Sequence, residues 1–220
     1  LYRTIGPEHI LQTNGATGAN FLALFSLIEP GDHIISLYPT YQQLYEIPKS
    51  LGAELEYWQI KEELNWLPDL DDLRQLIRPQ TKMICLNNAN NPTGAVMDDV
   101  FLKEVATIAA SVGAYVLVDE IYTSFSENNN SSIVDLYENG IAVNSLSKTY
   151  SLAGIRIGWV AANEKVISIL RDYRDYTLIC AGVFDDMVAQ LALENRQAIL
   201  KRNHRIIHEN LSILDHWVSM

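Results

Sequence analysis

Apolar residues along this chain fall into two alternating kinds of run. Short, nearly unbroken stretches occur at HIISL (33–37), ELEYWQI (54–60), KMICLN (82–87), AYVLV (114–118), IAVNSLSK (141–148) and IRIGWVAA (155–162). Between them lie longer segments whose apolar positions recur three or four apart, as at 101, 102, 105, 108, 109 and 112. The first kind predicts buried strands and the second amphipathic helices. Their alternation predicts an α/β fold, with a mostly parallel central sheet and helices on both faces.

Helices are expected at 15–28, after the Gly-rich turn in TNGATGAN and before the turn EPGD (29–32), and at 40–52 between Pro39 and Gly52. Others are expected at 69–77, where an acidic first turn precedes Pro79, and at 98–112, 164–176 and, as one extended pattern, 183–217. ENNNSS (127–132) reads as a flexible loop. There is no internal repeat and no clear domain boundary before about residue 180. We therefore expect residues 1–180 to form one large domain, and 181–220 to form a long helix leading toward a small C-terminal domain. A start without Met and a stop just after a helical pattern read as the central piece of a longer protein.

Composition narrows the function. A chain of 220 residues with 48% hydrophobic and 20% charged residues is that of an ordinary globular domain. A net charge of -11 argues against a nucleic-acid or anionic-membrane surface, so any bound phosphate must be gripped locally. Cys85 and Cys180 form neither a disulfide framework nor a metal pair, which suits a cytoplasmic location. No apolar run approaches the roughly 20 residues of a membrane span.

Ligands of open parallel sheets bind beyond the carboxyl ends of the strands, and four polar clusters fall at such ends or at helix starts. Gly15-Ala16-Thr17-Gly18 enters a helix, where small residues and free N–H groups can cradle an anion, although a plain capped helix start would look the same. Asn91-Pro92-Thr93-Gly94 places an amide in a fixed turn; it could donate to a phenolate-like oxygen or simply be a polar turn. Asp119-Glu120, with Tyr122 beyond, puts carboxylates at the mouth of a buried strand. That is costly unless a cation or protonated ring nitrogen meets them, or unless they cap a helix or join a structural ion pair. Lys148, followed by Arg156, could be a solvated loop lysine or an amine nucleophile beside an anion.

Taken together, an anion cradle, a donor to a phenolic oxygen, a carboxylate for a ring nitrogen and a reactive lysine match the polar groups of pyridoxal 5′-phosphate. NGATGAN, PGDHIISLYPTY, NNPTGAV, VDEIYTSF and SLSKTYSLAGIRIGW, in this order, resemble the fold-type I, class I/II aminotransferases over residues 4–217. The resemblance implies catalytic roles for Lys148, Asp119 and Tyr122. Lys148 would carry the cofactor as a Schiff base and shuttle the substrate proton. Asp119 would pair with the pyridine nitrogen, Asn91 and Tyr122 would hold the phenolic oxygen, and Tyr41 would stack on the ring. Ala16, Thr17, Ser145 and Arg156 would bind the phosphate, with Ser147 nearby. It further implies amino-acid and 2-oxo-acid substrates and a homodimer.

Asn88-Ala89 departs from the Ser or His and Pro that many relatives carry, and PTYQQLYEIP resembles the branch of capreomycidine synthase. Elimination or cyclisation by the same cofactor is therefore one alternative, and a non-catalytic sensor domain of a transcription regulator is another. A nicotinamide-binding domain lacks its G-x-G-x-x-G and leaves Lys148 without a role.

Overall fold

The computed structural model of the chain describes residues 1–125 and 131–220. Its strands are β1 (Ile10–Asn14), β2 (His33–Tyr38), β3 (Glu54–Lys61), β4 (Leu67–Pro68), β5 (Thr81–Asn87), β6 (Tyr115–Asp119), β7 (Gly140–Ser145) and β8 (Ile157–Ala161). Its helices are α1 (Gly15–Leu27), α2 (Gln43–Ser50), α3 (Leu70–Leu76), α4 (Asp99–Ala110), α5 (Glu164–Arg174), α6 (Val183–Glu194) and α7 (Arg196–Val218). The strands form one sheet in the order β1-β8-β7-β6-β5-β2-β3-β4. Neighbours from β7 through β3 are parallel, whereas β8 runs antiparallel to both β7 and β1, and β4 antiparallel to β3.

Buried residues divide into two clusters, one on each sheet face. Leu117, Ile141 and Val160 pack with α1, α2 and α5 through Leu22, Leu44 and Ile167. Val116, Val118 and Ala142 face the other way, toward α3 and α4 through Leu73, Leu102 and Val105. This alternation is the period-two geometry of strands covered on both faces.

Two expectations change, and one strand was not foreseen. The segment 183–217 is not one helix: Asn195, at φ -102° and ψ 18°, separates α6 from α7. Its Nδ2 donates to Leu191 O at 2.8 Å, satisfying a terminal carbonyl of α6. The strand preceding Lys148 ends at Ser145, so the lysine lies in a turn three residues beyond it. The edge strand β1 carries no long apolar run, which is why its period is faint in the sequence. Residues 127–130 of the expected loop lie outside the described residues.

Two chain reversals set the polar edge of the sheet. Because β5, β6 and β7 are parallel, their carboxyl ends at Asn87, Asp119 and Ser145 share one edge. β8 runs the other way, so its beginning, next to Arg156, lies on that same edge. β1 is antiparallel to β8, and its end therefore delivers Gly15 and the start of α1 there too.

Candidate active site

A cavity of about 220 Å³ opens at this edge, lined by Ala16, Thr17, Tyr41, Asn91, Asp119 and Tyr122 on one part of its wall. Asn87, Ile121, Ser147, Lys148, Ala153 and Arg156 complete it. Eight of the nine residues to which the resemblance gives a cofactor role thus share one cavity. Ser145 is the exception. It is wholly buried, and its Oγ accepts the Ser147 N–H at 3.1 Å, so Ser147 faces the cavity in its place.

The anion end is built by close backbone approach. Gly15 has φ 69°, a left-handed conformation in which a side chain is strained, and a Cβ there would stand 2.5 Å from Arg156 Nη2. A Cβ on Gly158 would meet Gly15 C at 2.4 Å and Ala16 N at 2.8 Å. The two glycines let the N-terminus of α1 rest directly on β8, beside the guanidinium. Thr13 Oγ1 donates to Gly15 O at 3.0 Å and fixes the turn. Arg156 itself has φ 52°, a strained value for a non-glycine residue. Its Nη1 donates to Ala153 O at 2.8 Å and to Ser147 Oγ at 3.3 Å, which aims the side chain. The first turn of α1, through Ala16 and Thr17, and the Arg156 guanidinium line the same cavity, a combination suited to an anion.

At the opposite end Asp119 is 2% exposed. Its Oδ2 accepts Asn20 Nδ2 at 2.8 Å and its Oδ1 the Ile121 N–H at 3.2 Å; among the described residues no cation pairs with it. Burial pushes its carboxyl up to about 6, against the lowering effect of these two hydrogen bonds. Burial, with the charge of Asp119 and then Tyr41 adding to it, also holds the Tyr122 phenol above its ordinary value. Glu120 takes no part in the cavity lining. It is buried, and its Oε1 accepts Ser132 Oγ at 2.8 Å and the Ile133 N–H at 2.9 Å. Desolvation pushes it up to about 7.

Three buried asparagines support the wall and escaped the sequence reading. Asn20 anchors Asp119 from α1. Asn87 donates to Asp119 O at 2.8 Å and accepts the Asn91 N–H at 2.7 Å, tying the third cluster to the second. Asn90 accepts Thr40 Oγ1 at 2.9 Å and donates to Pro39 O at 3.2 Å, which joins the Tyr41 loop to the Asn91 loop. A signal existed for Asn20 alone, as the one amide among the apolar positions of GATGANFLALF. Asn88, at the sequence departure, exchanges two 2.9 Å hydrogen bonds with the Met97 backbone and closes the loop 88–97.

The cavity thus lies at the polar edge of a largely parallel sheet, with a guanidinium beside a helix start and a buried carboxylate in its wall. The sequence pattern of the class I and II aminotransferases matches residues 2–216, and the chain belongs to that family, whose members are fold-type I enzymes dependent on pyridoxal 5′-phosphate. It is 32% identical to the aspartate aminotransferase of Sulfurisphaera tokodaii, over 96% of this chain and 56% of that protein. Capreomycidine synthase of Streptomyces vinaceus is 31% identical over 89% of this chain and 51% of its own length. A crystallised PLP-dependent aminotransferase from Streptococcus suis superimposes with a TM-score of 0.97 at 72% identity, covering 99% of this chain and 58% of that one. Aspartate aminotransferase of Thermus thermophilus gives a TM-score of 0.93 at 25% identity, covering 98% and 58%. The chain spans about half the length of the curated relatives it matches.

The residues present fit this cofactor. A buried carboxylate without a cation suits a protonated ring nitrogen, and a helix start seated beside the Arg156 guanidinium by Gly15 and Gly158 suits a phosphate. Among the described residues no group of His, Cys, Asp and Glu could hold a metal ion, and no helix is long and apolar enough to cross a membrane.

Proposed function

We propose that the protein is a pyridoxal-phosphate-dependent aminotransferase that moves an amino group between an amino acid and a 2-oxo acid. The observation that carries this reading is the convergence of Lys148, Asp119 and Arg156 on one cavity from three separate strand ends. Residues 1–180 would form the large cofactor-binding domain, with 181–220 leading out of it. A cytoplasmic homodimer is part of the same reading, supported by the family rather than by any contact within this chain.

When bound, the cofactor supplies an aldehyde for attachment and a ring that accepts the electron pair left at a substrate Cα. Lys148 Nζ would hold the aldehyde carbon until a substrate amine displaces it, and the freed amine would then carry a proton between the substrate Cα and the carbon it had held. Asp119, ionised, would meet the ring nitrogen and keep it protonated. Asn91 and Tyr122 would donate to the phenolic oxygen, and Tyr41 would cover the ring. Ala16 N–H, the Thr17 and Ser147 hydroxyls and the Arg156 guanidinium would hold the phosphate, with Ser145 Oγ accepting the Ser147 N–H. Release of one product and entry of a second substrate at the same site makes the kinetics ping-pong.

Borohydride reduction of the full chain should leave a cofactor mass tag on the Lys148 peptide. Lys148→Ala should lose both the tag and the absorbance band near the visible edge, together with at least about a thousandfold in rate, as expected when a covalent catalyst is removed. A band that survives the substitution would remove Lys148 from the role. Release of ammonia in place of the amino-group exchange would assign an elimination instead.

A further inference from the structure

Asn20 belongs to the second turn of α1, the helix whose first turn forms the anion cradle. It is completely buried in a helix that otherwise presents Ala19, Leu22, Ala23 and Leu24 to the core. Its Nδ2 reaches Asp119 Oδ2 at 2.8 Å, while its own Oδ1 is buried without a hydrogen-bond partner. A buried amide with one oxygen unsatisfied is expensive, and core packing alone would be better served by leucine at this position. The side chain is therefore held in place by Asp119 alone.

Chemistry makes that contact selective. An amide N–H donates more strongly to a carboxylate than to a neutral carboxylic acid, so the observed contact favours ionised Asp119. Only an ionised, correctly turned carboxylate can hold a proton on a ring nitrogen. The other groups facing Asp119 leave this job to Asn20. Ile121 N–H takes the second oxygen, and Tyr122 and Glu120, following on the same strand end, raise rather than lower the cost of the charge. Asn87, from β5, engages the backbone carbonyl and not the carboxylate. Tyr41, Lys148 and Arg156 share the cavity without a hydrogen bond to Asp119 among the described residues.

We propose that Asn20 is a positioning residue that locks the Asp119 carboxylate, charged and in one orientation, against the cofactor's ring nitrogen, and that α1 thereby sets both ends of the cofactor at once. This rests on the reading of Asp119 as the partner of that nitrogen.

The test compares two ligands on the full chain after the cofactor is stripped: pyridoxal 5′-phosphate and its 1-deaza analogue, which keeps the aldehyde and phosphate but lacks the nitrogen. Wild type should prefer the natural cofactor. Asn20→Leu should reduce that preference about ten- to a hundredfold, the range of a hydrogen bond to a charged group, while affinity for the analogue holds. The pH below which the preference disappears should rise by about one unit. An unchanged ratio, or a parallel fall in both affinities, would show a purely structural role and overturn the inference. Asn20→Ala carries the same expectation if the leucine variant fails to fold. A wild-type protein that binds neither ligand would instead sink the cofactor assignment itself.

Discussion

Gly158 shows how strongly a single side-chain hydrogen can be needed here. The atoms that a Cβ would strike belong to the backbone of Gly15 and Ala16, which cannot swing aside as a flexible side chain would. Gly158→Ala must lift the start of α1 away from β8. We expect a stability loss of about 1–3 kcal/mol, typical of overpacking, and a larger proportional loss in affinity for the phosphate end. Equilibrium binding of inorganic phosphate and of the cofactor, beside urea unfolding, would separate the two effects. Affinity equal to wild type would show that the cradle does not depend on this contact. Lys148, Asp119 and Arg156 could be singled out because they fall near strand ends in clusters whose chemistry fits one ligand, although Lys148 by itself reads equally as a loop lysine. Asn87 and Asn90 were not, since their value lies in hydrogen bonds to residues 32 and 50 positions away.

At the level of elements, most strands could be read because burial on both faces leaves unbroken apolar runs. The edge strand β1 could not, having no second neighbour to enforce a pattern, nor could β4, which is also only two residues long. The division between α6 and α7 was hidden for a related reason: one asparagine inside a helical period interrupts nothing until its side chain takes a backbone carbonyl. α7 has a further role that periodicity could not show. Asn203 is 5% exposed, and its Nδ2 donates to Thr149 O at 2.7 Å, one residue past Lys148. The neighbouring His204 Nε2 lies 2.9 Å from Ser124 O, two residues past Tyr122. One helix therefore braces the turns that carry the amine and the phenol. Asn203→Ala leaves a buried carbonyl unpaired, at a cost of about 1–3 kcal/mol. It should lower kcat several-fold while leaving cofactor affinity near wild type, because the phosphate contacts lie elsewhere. Stopped-flow half-reactions would check this, and a cofactor affinity that falls in step with kcat would argue against a specific link to Lys148.

For the molecule as a whole, two adjacent buried carboxylates make stability depend on pH in an uncommon direction. Folding raises Asp119 from 3.8 to about 6 and Glu120 from 4.5 to about 7. Between those limits these two groups bind more protons folded than unfolded, so their contribution to stability falls as pH rises, and their full penalty is present above about pH 7. The bound cofactor can offset this for Asp119 but not for Glu120, which lies outside the cavity. Glu120→Gln keeps an acceptor for Ser132 and Ile133 yet cannot ionise. Its urea midpoint should therefore change less between pH 5 and pH 8 than that of wild type, the difference amounting to a few kcal/mol, since each shifted unit is worth about 1.4 kcal/mol. Parallel pH profiles for the two proteins would contradict this account of Glu120.

The reversal of β8 has a consequence for how the site can vary. In an all-parallel sheet, the amine and the guanidinium would need a crossover helix between them, and their separation could drift with its length. Here a single hairpin-like excursion, residues 146–156, connects the two, and both of its ends are pinned to adjacent strands. That excursion works as a fixed-length tether. The separation of Lys148 from Arg156 is set by one short count of residues, so a change of length within 146–156 should disturb the cavity more than a single substitution on its wall.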